Sequence, residues 1–273
     1  MSTSEFGIQG NTERCVPEGN MPACGETGRE NDSRKPLRKI ALLIAGGSGN
    51  RMQQDIPKQF LTVNERPVIV YTLEAFQKHP EIDAIAVVCI EGWEQVLRAY
   101  AKQFNITKLQ YIVPGGENGQ ASIRNGVFEL EKHYAPEDIV LIHDAIRPLV
   151  SAEIISDNIR VALEYGNAIT VIPCAEAMMQ TEDGVVSIGS YPRDRLKRTQ
   201  TPQAFHIQDI CRLHRKALKA GITNSIASCT LMVEMNEQVY FSAGSEKNIK
   251  LTTVEDIDIF KALLATKRSD WMK

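Results

Sequence analysis

Between Ile40 and Phe60 the chain reads IALLIAGGSGNRMQQDIPKQF, an apolar run, a glycine-rich turn and then two cations, Arg51 and Lys58. Glycines at 46, 47 and 49 let the backbone turn tightly and present bare amide N–H groups to an anion. Arg51 and Lys58 add the positive charge that a polyphosphate, and its still more charged transition state, require. The string GGSGNR fits neither the dinucleotide fingerprint, which needs a third glycine at a fixed offset, nor the Walker loop, which ends in Gly-Lys-Ser/Thr. On the residues alone two readings stand, a phosphate cradle or a strand-to-helix turn with a solvated basic face.

Three further stretches carry residues suited to the same chemistry. Gly115-Gly-Glu-Asn-Gly-Gln-Ala-Ser122 is a second glycine-rich turn. It leads into a helix with Ile123, Val127 and Leu130 on one face, placing backbone donors and Ser122 at the carboxyl edge of a sheet. Ile139-Val-Leu-Ile-His143-Asp144-Ala-Ile-Arg147-Pro148 is an apolar strand that stops on an acid. Asp144 there is a candidate for the nucleotide ribose or for Mg²⁺, the alternative being a core histidine beside a structural Asp144–Arg147 ion pair. In Asn248-Ile-Lys250-Leu-Thr-Thr253, Lys250 projects just before a helix that Thr253 can cap, with Glu255 and Asp256 at its start and Ile257, Phe260, Ala262 and Leu263 packing it down. A lysine so placed suits an α-phosphate.

The elements that must hold these residues alternate. Strands are expected at 40–45, 84–90, 109–113, 139–142, 168–173 and 239–243, with helices between them. Among those helices are one opening at Pro67 and one capped by Ser151 that buries Ile154, Ile155, Ile159, Ala162 and Leu163. That order predicts an α/β fold, a Rossmann-like, mostly parallel sheet flanked by helices. Residues 38–268 are expected to form a single domain. Residues 1–37, rich in Gly, Glu, Asn, Ser and Pro without an apolar period, are expected to be a disordered tail. Glu182-Asp-Gly184 signals a hairpin within a protruding arm at about 174–200.

Composition narrows the function classes. A chain of 273 residues, 43% hydrophobic, can bury a large core. A net charge of −3 argues against wholesale nucleic-acid binding. Without an apolar run of about 18 residues or a signal-peptide pattern, no membrane association is expected and a cytoplasmic location is. Six scattered cysteines without a CxxC pair disfavour a zinc site or a disulfide framework, and Cys89 reads as a small core residue. A Rossmann dehydrogenase is disfavoured by the glycine spacing.

Taken in order, AGGSGNRM, PKQF, the 115–126 turn, HDAIRPLV, the TPQ of residues 201–203 and NIKLTT resemble the motifs of the cytidylyltransferases that act on methylerythritol phosphate and ribitol phosphate. The resemblance spans roughly residues 38–265. It implies a nucleotide-diphospho-sugar transferase type of fold, CTP and a polyol phosphate as substrates, a divalent cation (Mg²⁺) as cofactor, and a homodimer formed through the hairpin arm. It further implies that Arg51, Lys58 and Lys250 are catalytic. Ala45, Gly46, Gly47, Gly49, Gly115, Gly116, Ser122 and Asp144 would bind the nucleotide, Asp144 also holding the metal. Arg147, Arg193 and Thr201 would face the acceptor, Arg193 reaching into a partner subunit.

The chain departs from that pattern in three places. Gly119 stands where the family usually has an arginine, Arg124 being the candidate replacement; Glu176-Ala177 replaces Asp-Thr; and Ala227-Ser228-Cys229 replaces an acidic motif. Trp93, the EDIV and HDAIRP context and residues 157–159 resemble the ribitol-phosphate branch. CDP-ribitol synthesis for surface polymers is therefore the expected activity, with the methylerythritol-phosphate enzyme of isoprenoid synthesis as the alternative. A catalytically silent nucleotide-binding relative is the alternative of another class.

Overall fold

The computed structural model describes residues 36–47 and 56–266. The expected tail, apart from residues 36 and 37, lies outside the described residues, as do Gly49 and Arg51. The described residues from Leu37 onward belong to one compact unit.

In chain order the elements are β1 (Lys39–Ala45), β2 (Thr62–Val63), β3 (Arg66–Pro67), α1 (Val68–Lys78), β4 (Ala84–Cys89), α2 (Glu94–Gln103), β5 (Leu109–Pro114), α3 (Gly119–Glu131), β6 (Ile139–Asp144), α4 (Ala152–Tyr165) and β7 (Asn167–Pro173). Then follow β8 (Met178–Gln180), β9 (Gly189–Tyr191), β10 (Lys197–His206), α5 (Ile207–Lys219), α6 (Ser228–Glu234), β11 (Phe241–Ala243) and α7 (Val254–Thr266). Seven strands form the central sheet in the order β11-β7-β10-β6-β1-β4-β5. β10 runs antiparallel to β6 and β7, while the other pairings within the sheet are parallel.

The alternation of side chains along β1 explains why both faces are covered. Ala41 and Leu43 point into a core with Leu73 and Phe76 of α1, Leu97 of α2 and Ile155 and Ile159 of α4. Ile40 and Leu42 point the other way, onto Val127 and Leu130 of α3 and Ile210 and Leu213 of α5. Cys89 is fully buried at the end of β4. Ser151 caps α4 by accepting the Ile154 N–H at 3.4 Å. At the chain's other end Phe260 anchors α7 in a third cluster with Val68, Ile146 and Leu251.

Three expectations are corrected. Residues 197–200 belong to the central sheet, not to an arm, because Lys197, Arg198 and Thr199 pair with Pro173, Ile172 and Val171 of β7. The segment before them forms a short antiparallel ribbon of β8 and β9, joined by residues 181–188. Ala262 is exposed on α7, Leu264 packing in its place, and Leu163 is largely exposed on α4 because that helix rests on the sheet through Ile155 and Ile159.

α5 buries His214, whose ring nitrogens meet no hydrogen-bond partner among the described residues. Burial, reinforced by the nearby Arg124 charge, pushes its pKa from 6.5 down to about 4. The unfolded chain takes a proton near pH 6.5 that the folded chain refuses, so stability is complete above that pH and is lost as the pH falls toward 4. His214→Leu is expected to spare roughly 2–3 kcal/mol of the loss between pH 7.5 and 4.5 in urea denaturation.

Candidate functional site

The carboxyl ends of β1, β5 and β6, together with the first half of β10, open on one cavity of about 610 Å³. Ligands sit at this edge in open α/β sheets because loops there are free to diverge while the strands stay paired. Lys58, Arg147 and Lys250 line the cavity against Asp144 and Glu117, a local excess of positive charge in a chain that is negative overall.

Two glycine turns form one wall. Gly46 and Gly115 approach so closely that a Cβ on Gly115 would lie 3.4 Å from the Gly46 Cα. Gly116 donates its N–H to the Ser122 hydroxyl at 3.0 Å, tying the second turn to the first turn of α3, which Asn118 caps through the Ala121 N–H at 2.9 Å. Gln59 braces the first turn, its side-chain amide donating to the carbonyls of Ala45 at 2.8 Å and Gly47 at 3.1 Å. Phe60, stacked on Trp93 with ring centroids 4.6 Å apart, fixes the short helical turn Lys58–Phe60 from which Lys58 reaches the cavity.

Opposite stands Asp144, at the end of β6. Its Oδ1 lies 3.1 Å from Lys250 Nζ and its Oδ2 3.0 Å from Arg147 Nε. Burial pushes the Asp144 carboxyl up, but Lys250 and Arg147, aided by His143, outweigh it and hold the group below its ordinary value. Residues 106 positions apart meet because Leu251, buried in the α7 cluster, donates its N–H to Ile146 O at 2.9 Å, while Arg147 Nη1 donates to Asn248 O at 2.7 Å.

Behind Asp144 runs a chain of three hydrogen bonds with one consistent proton arrangement. His143 is fully buried, and burial pushes its pKa down to about 4, so the ring is neutral. Nε2 faces Arg147 O at 3.2 Å, and a carbonyl only accepts, so Nε2 carries the hydrogen. Nδ1 therefore accepts from the Thr201 hydroxyl at 3.0 Å, and that hydroxyl in turn accepts the Asp144 N–H at 3.1 Å. Thr201 thus lines the cavity with its hydrogen already committed and one lone pair to spare.

The structure therefore brings Ala45, Gly46, Gly47, Lys58, Gly116, Ser122, Asp144, Arg147, Thr201 and Lys250 to one cavity, with Gly115 directly behind Gly46. Arg193 is not among the lining residues and donates instead to Ala175 O at 3.2 Å, beside the β8–β9 ribbon. Arg124 lies near His214 on α5 rather than on the cavity, so it does not replace the side chain absent at Gly119. Gln59, the His143–Thr201 relay and Asn248, whose side-chain amide donates to Thr201 O at 2.9 Å, were not assigned roles from sequence. The signal in each case was an uncharged polar residue inside an apolar or motif stretch.

The model of the IspD family, 2-C-methyl-D-erythritol 4-phosphate cytidylyltransferase, matches residues 39–266. The chain is 42% identical over 229 residues to a ribitol-5-phosphate cytidylyltransferase of Lacticaseibacillus paracasei, covering 83% of this chain and 98% of that one. It is 36% identical to a 2-C-methyl-D-erythritol 4-phosphate cytidylyltransferase of Clostridium botulinum, covering 83% and 97%. Among solved structures it is similar to the 4-diphosphocytidyl-2C-methyl-D-erythritol synthase of Anaerococcus prevotii, with a TM-score of 0.70 at 27% identity over 84% of this chain and 99% of that one. The ordered motifs, the sheet and the cavity at its carboxyl edge agree with these likenesses: the chain belongs to the IspD family of cytidylyltransferases and is a nucleotidyltransferase.

Proposed function

We propose that this enzyme transfers CMP from CTP to D-ribitol 5-phosphate, releasing pyrophosphate and giving CDP-ribitol. The observation that carries the phosphoryl-transfer part is the convergence of Lys58, Lys250, Arg147 and Asp144 on one cavity walled by the turns at Gly46 and Gly116. The choice of acceptor is supported by the relative named for ribitol 5-phosphate, 42% identical against 36% for the one named for methylerythritol phosphate.

In this reading the acceptor's phosphate oxygen attacks the α-phosphorus in line. One P–O bond forms, the bond to the β-phosphate bridging oxygen breaks, and no covalent protein intermediate intervenes. The amide groups of the two glycine turns cradle the nucleotide, and Lys58 and Lys250, with Arg51 of the same motif, offset charge that grows on the α-phosphate and leaving group. Arg147 and Thr201 face the acceptor.

Asp144 suits a divalent cation in the mode where substrate phosphates supply most of the ligands and the protein a single carboxylate. Magnesium held there would draw charge from the phosphate oxygens. The β8–β9 ribbon, with Met178, Met179 and Tyr191 exposed, is where we place contact with a second copy, Arg193 reaching that copy's acceptor phosphate. No helix among the described residues is long and apolar enough to cross a membrane. An activity that consumes CTP belongs in the cytoplasm.

Assaying pyrophosphate release from CTP with ribitol 5-phosphate and with methylerythritol 4-phosphate, side by side, tests the proposal. The expected kcat/KM is higher for ribitol 5-phosphate by about tenfold or more. A reversed preference overturns the acceptor, and CTP binding without turnover on either overturns the activity.

A further inference from the structure

Asn248 is fully buried and lies two residues before Lys250. Its side-chain amide donates to Thr201 O at 2.9 Å and to Gln200 Oε1 at 3.2 Å, crossing from the segment that carries the lysine to β10. Its backbone is engaged as well, the N–H donating to Ser245 O at 2.9 Å and the carbonyl accepting from Arg147 Nη1 at 2.7 Å.

The reason for a side-chain donor at this point lies in β10, which shifts register against β7 between Thr199 and Gln203. Where a ladder is interrupted, buried carbonyls need donors from elsewhere. The three carbonyls of that interval are each met by a side-chain amide: Gln200 O by Gln203 Nε2 at 3.3 Å, Thr201 O by Asn248, and Pro202 O by Asn158 Nδ2 at 3.1 Å. Gln203 belongs to β10 itself and Asn158 to α4, so of these three ties it is that of Asn248 that reaches the segment of Lys250.

The consequence is geometric. Thr201 accepts the Asp144 N–H at 3.1 Å, and Asp144 Oδ1 faces Lys250 Nζ at 3.1 Å. The contacts among Asp144, Thr201, Asn248 and Lys250 thus close into a ring, in which the amide joins the lysine's backbone to the strand beside the carboxylate. On the far side of Lys250, the Leu251 N–H donates to Ile146 O at 2.9 Å. Arg147 also holds Asn248, but its guanidinium is shared with Asp144 and faces the cavity. The bond from the amide to Thr201 O uses no group that a substrate would draw away.

We infer that Asn248 is a positioning residue whose side-chain amide sets where the Lys250 ammonium meets the α-phosphate; this rests on the role given to Lys250 above. Asn248 is not among the residues lining the cavity, so it acts through the lysine and not by touching substrate.

The test is a double-mutant cycle on kcat for pyrophosphate release from CTP, with the faster of the two acceptor phosphates, in wild type, Asn248→Ala, Lys250→Ala and the double variant. Thermal unfolding is recorded for each. Asn248→Ala is expected to lower kcat by about 10- to 100-fold, the cost of a misplacement of about 1 Å, and by less than about threefold when Lys250 is already alanine. Equal fold losses in the two backgrounds overturn the role of Asn248 and leave that of Lys250 standing, as does unchanged kcat in Asn248→Ala. Should the alanine variant fail to fold, Asn248→Leu, close to asparagine in size and without a donor, takes its place in the cycle. Failure of both to fold marks a structural residue and overturns the role. Full turnover in Lys250→Ala overturns the role of the lysine and this one with it, and wild type without turnover overturns the activity and both.

Discussion

Lys250→Ala is expected to lower kcat/KM for CTP-dependent pyrophosphate release by about 100- to 1,000-fold while shifting stability by less than about 1 kcal/mol. The two effects separate because of how the residue is held. Its side chain is 42% exposed, so its 3.1 Å contact with Asp144 is a solvent-screened pair of small worth to folding. The backbone that presents it is fixed by neighbours the substitution leaves alone, Leu251 through Ile146 O and Asn248 through Arg147 and Thr201. What disappears is positive charge where the α-phosphate becomes more negative.

Lys58→Ala removes a cation from the opposite side of the same cavity. If both act on one triphosphate, the double variant should be less impaired than the product of the single effects. Steady-state kinetics and thermal unfolding of the three variants decide it. Full turnover in Lys250→Ala removes that residue from the reaction, and strictly multiplicative losses argue that the two lysines serve separate groups.

What could be read from the sequence was what local signals encode. β1 shows as a continuous apolar run because both its faces are covered, and α4 shows through Ser151 and its Ile154-Ile155-Ile159 stripe. β10 did not show. Its first residues are charged and exposed, Pro202 sits within it, and the pairing with β7 shifts register between Thr199 and Gln203, so neither an alternating pattern nor a clean apolar run marks it. Yet β10 is the strand that carries Thr201 and Gln203 into the site.

The site divided the same way. Lys58, Asp144 and Lys250 are charged residues at the ends of recognisable elements, and their types announce the chemistry. Gln59 and His143 act by bracing others, His143 through Thr201, which is 58 positions away. No spacing rule connects such a pair; only the antiparallel insertion of β10 beside β6 does.

Gly116→Ala and Gly119→Ala should have opposite outcomes, although both substitutions fall in the same turn. At Gly116 an added Cβ would lie 2.6 Å from the carbonyl carbon and Cβ of Ala121 and 2.7 Å from the Ser122 nitrogen. These are atoms of the first turn of α3, so the clash cannot be relieved by rotating a side chain. Either α3 shifts or the turn opens, and either displaces the Gly116 N–H from Ser122. A displacement near 1 Å at a positioning element costs about 100-fold in function, and overpacking of this kind costs about 1–3 kcal/mol in stability. At Gly119 nothing lies within 4 Å of the added atom, and the backbone there is not left-handed. Alanine at that first helical position should leave CTP affinity unchanged and add about 0.4–1 kcal/mol by narrowing the unfolded ensemble. Calorimetric titration of CTP with urea denaturation of each variant measures both quantities. If Gly116→Ala binds CTP as tightly as wild type does, the wall formed by α3 is not part of the nucleotide cradle, and the nucleotide must be held by the Gly46 turn and the lysines without it.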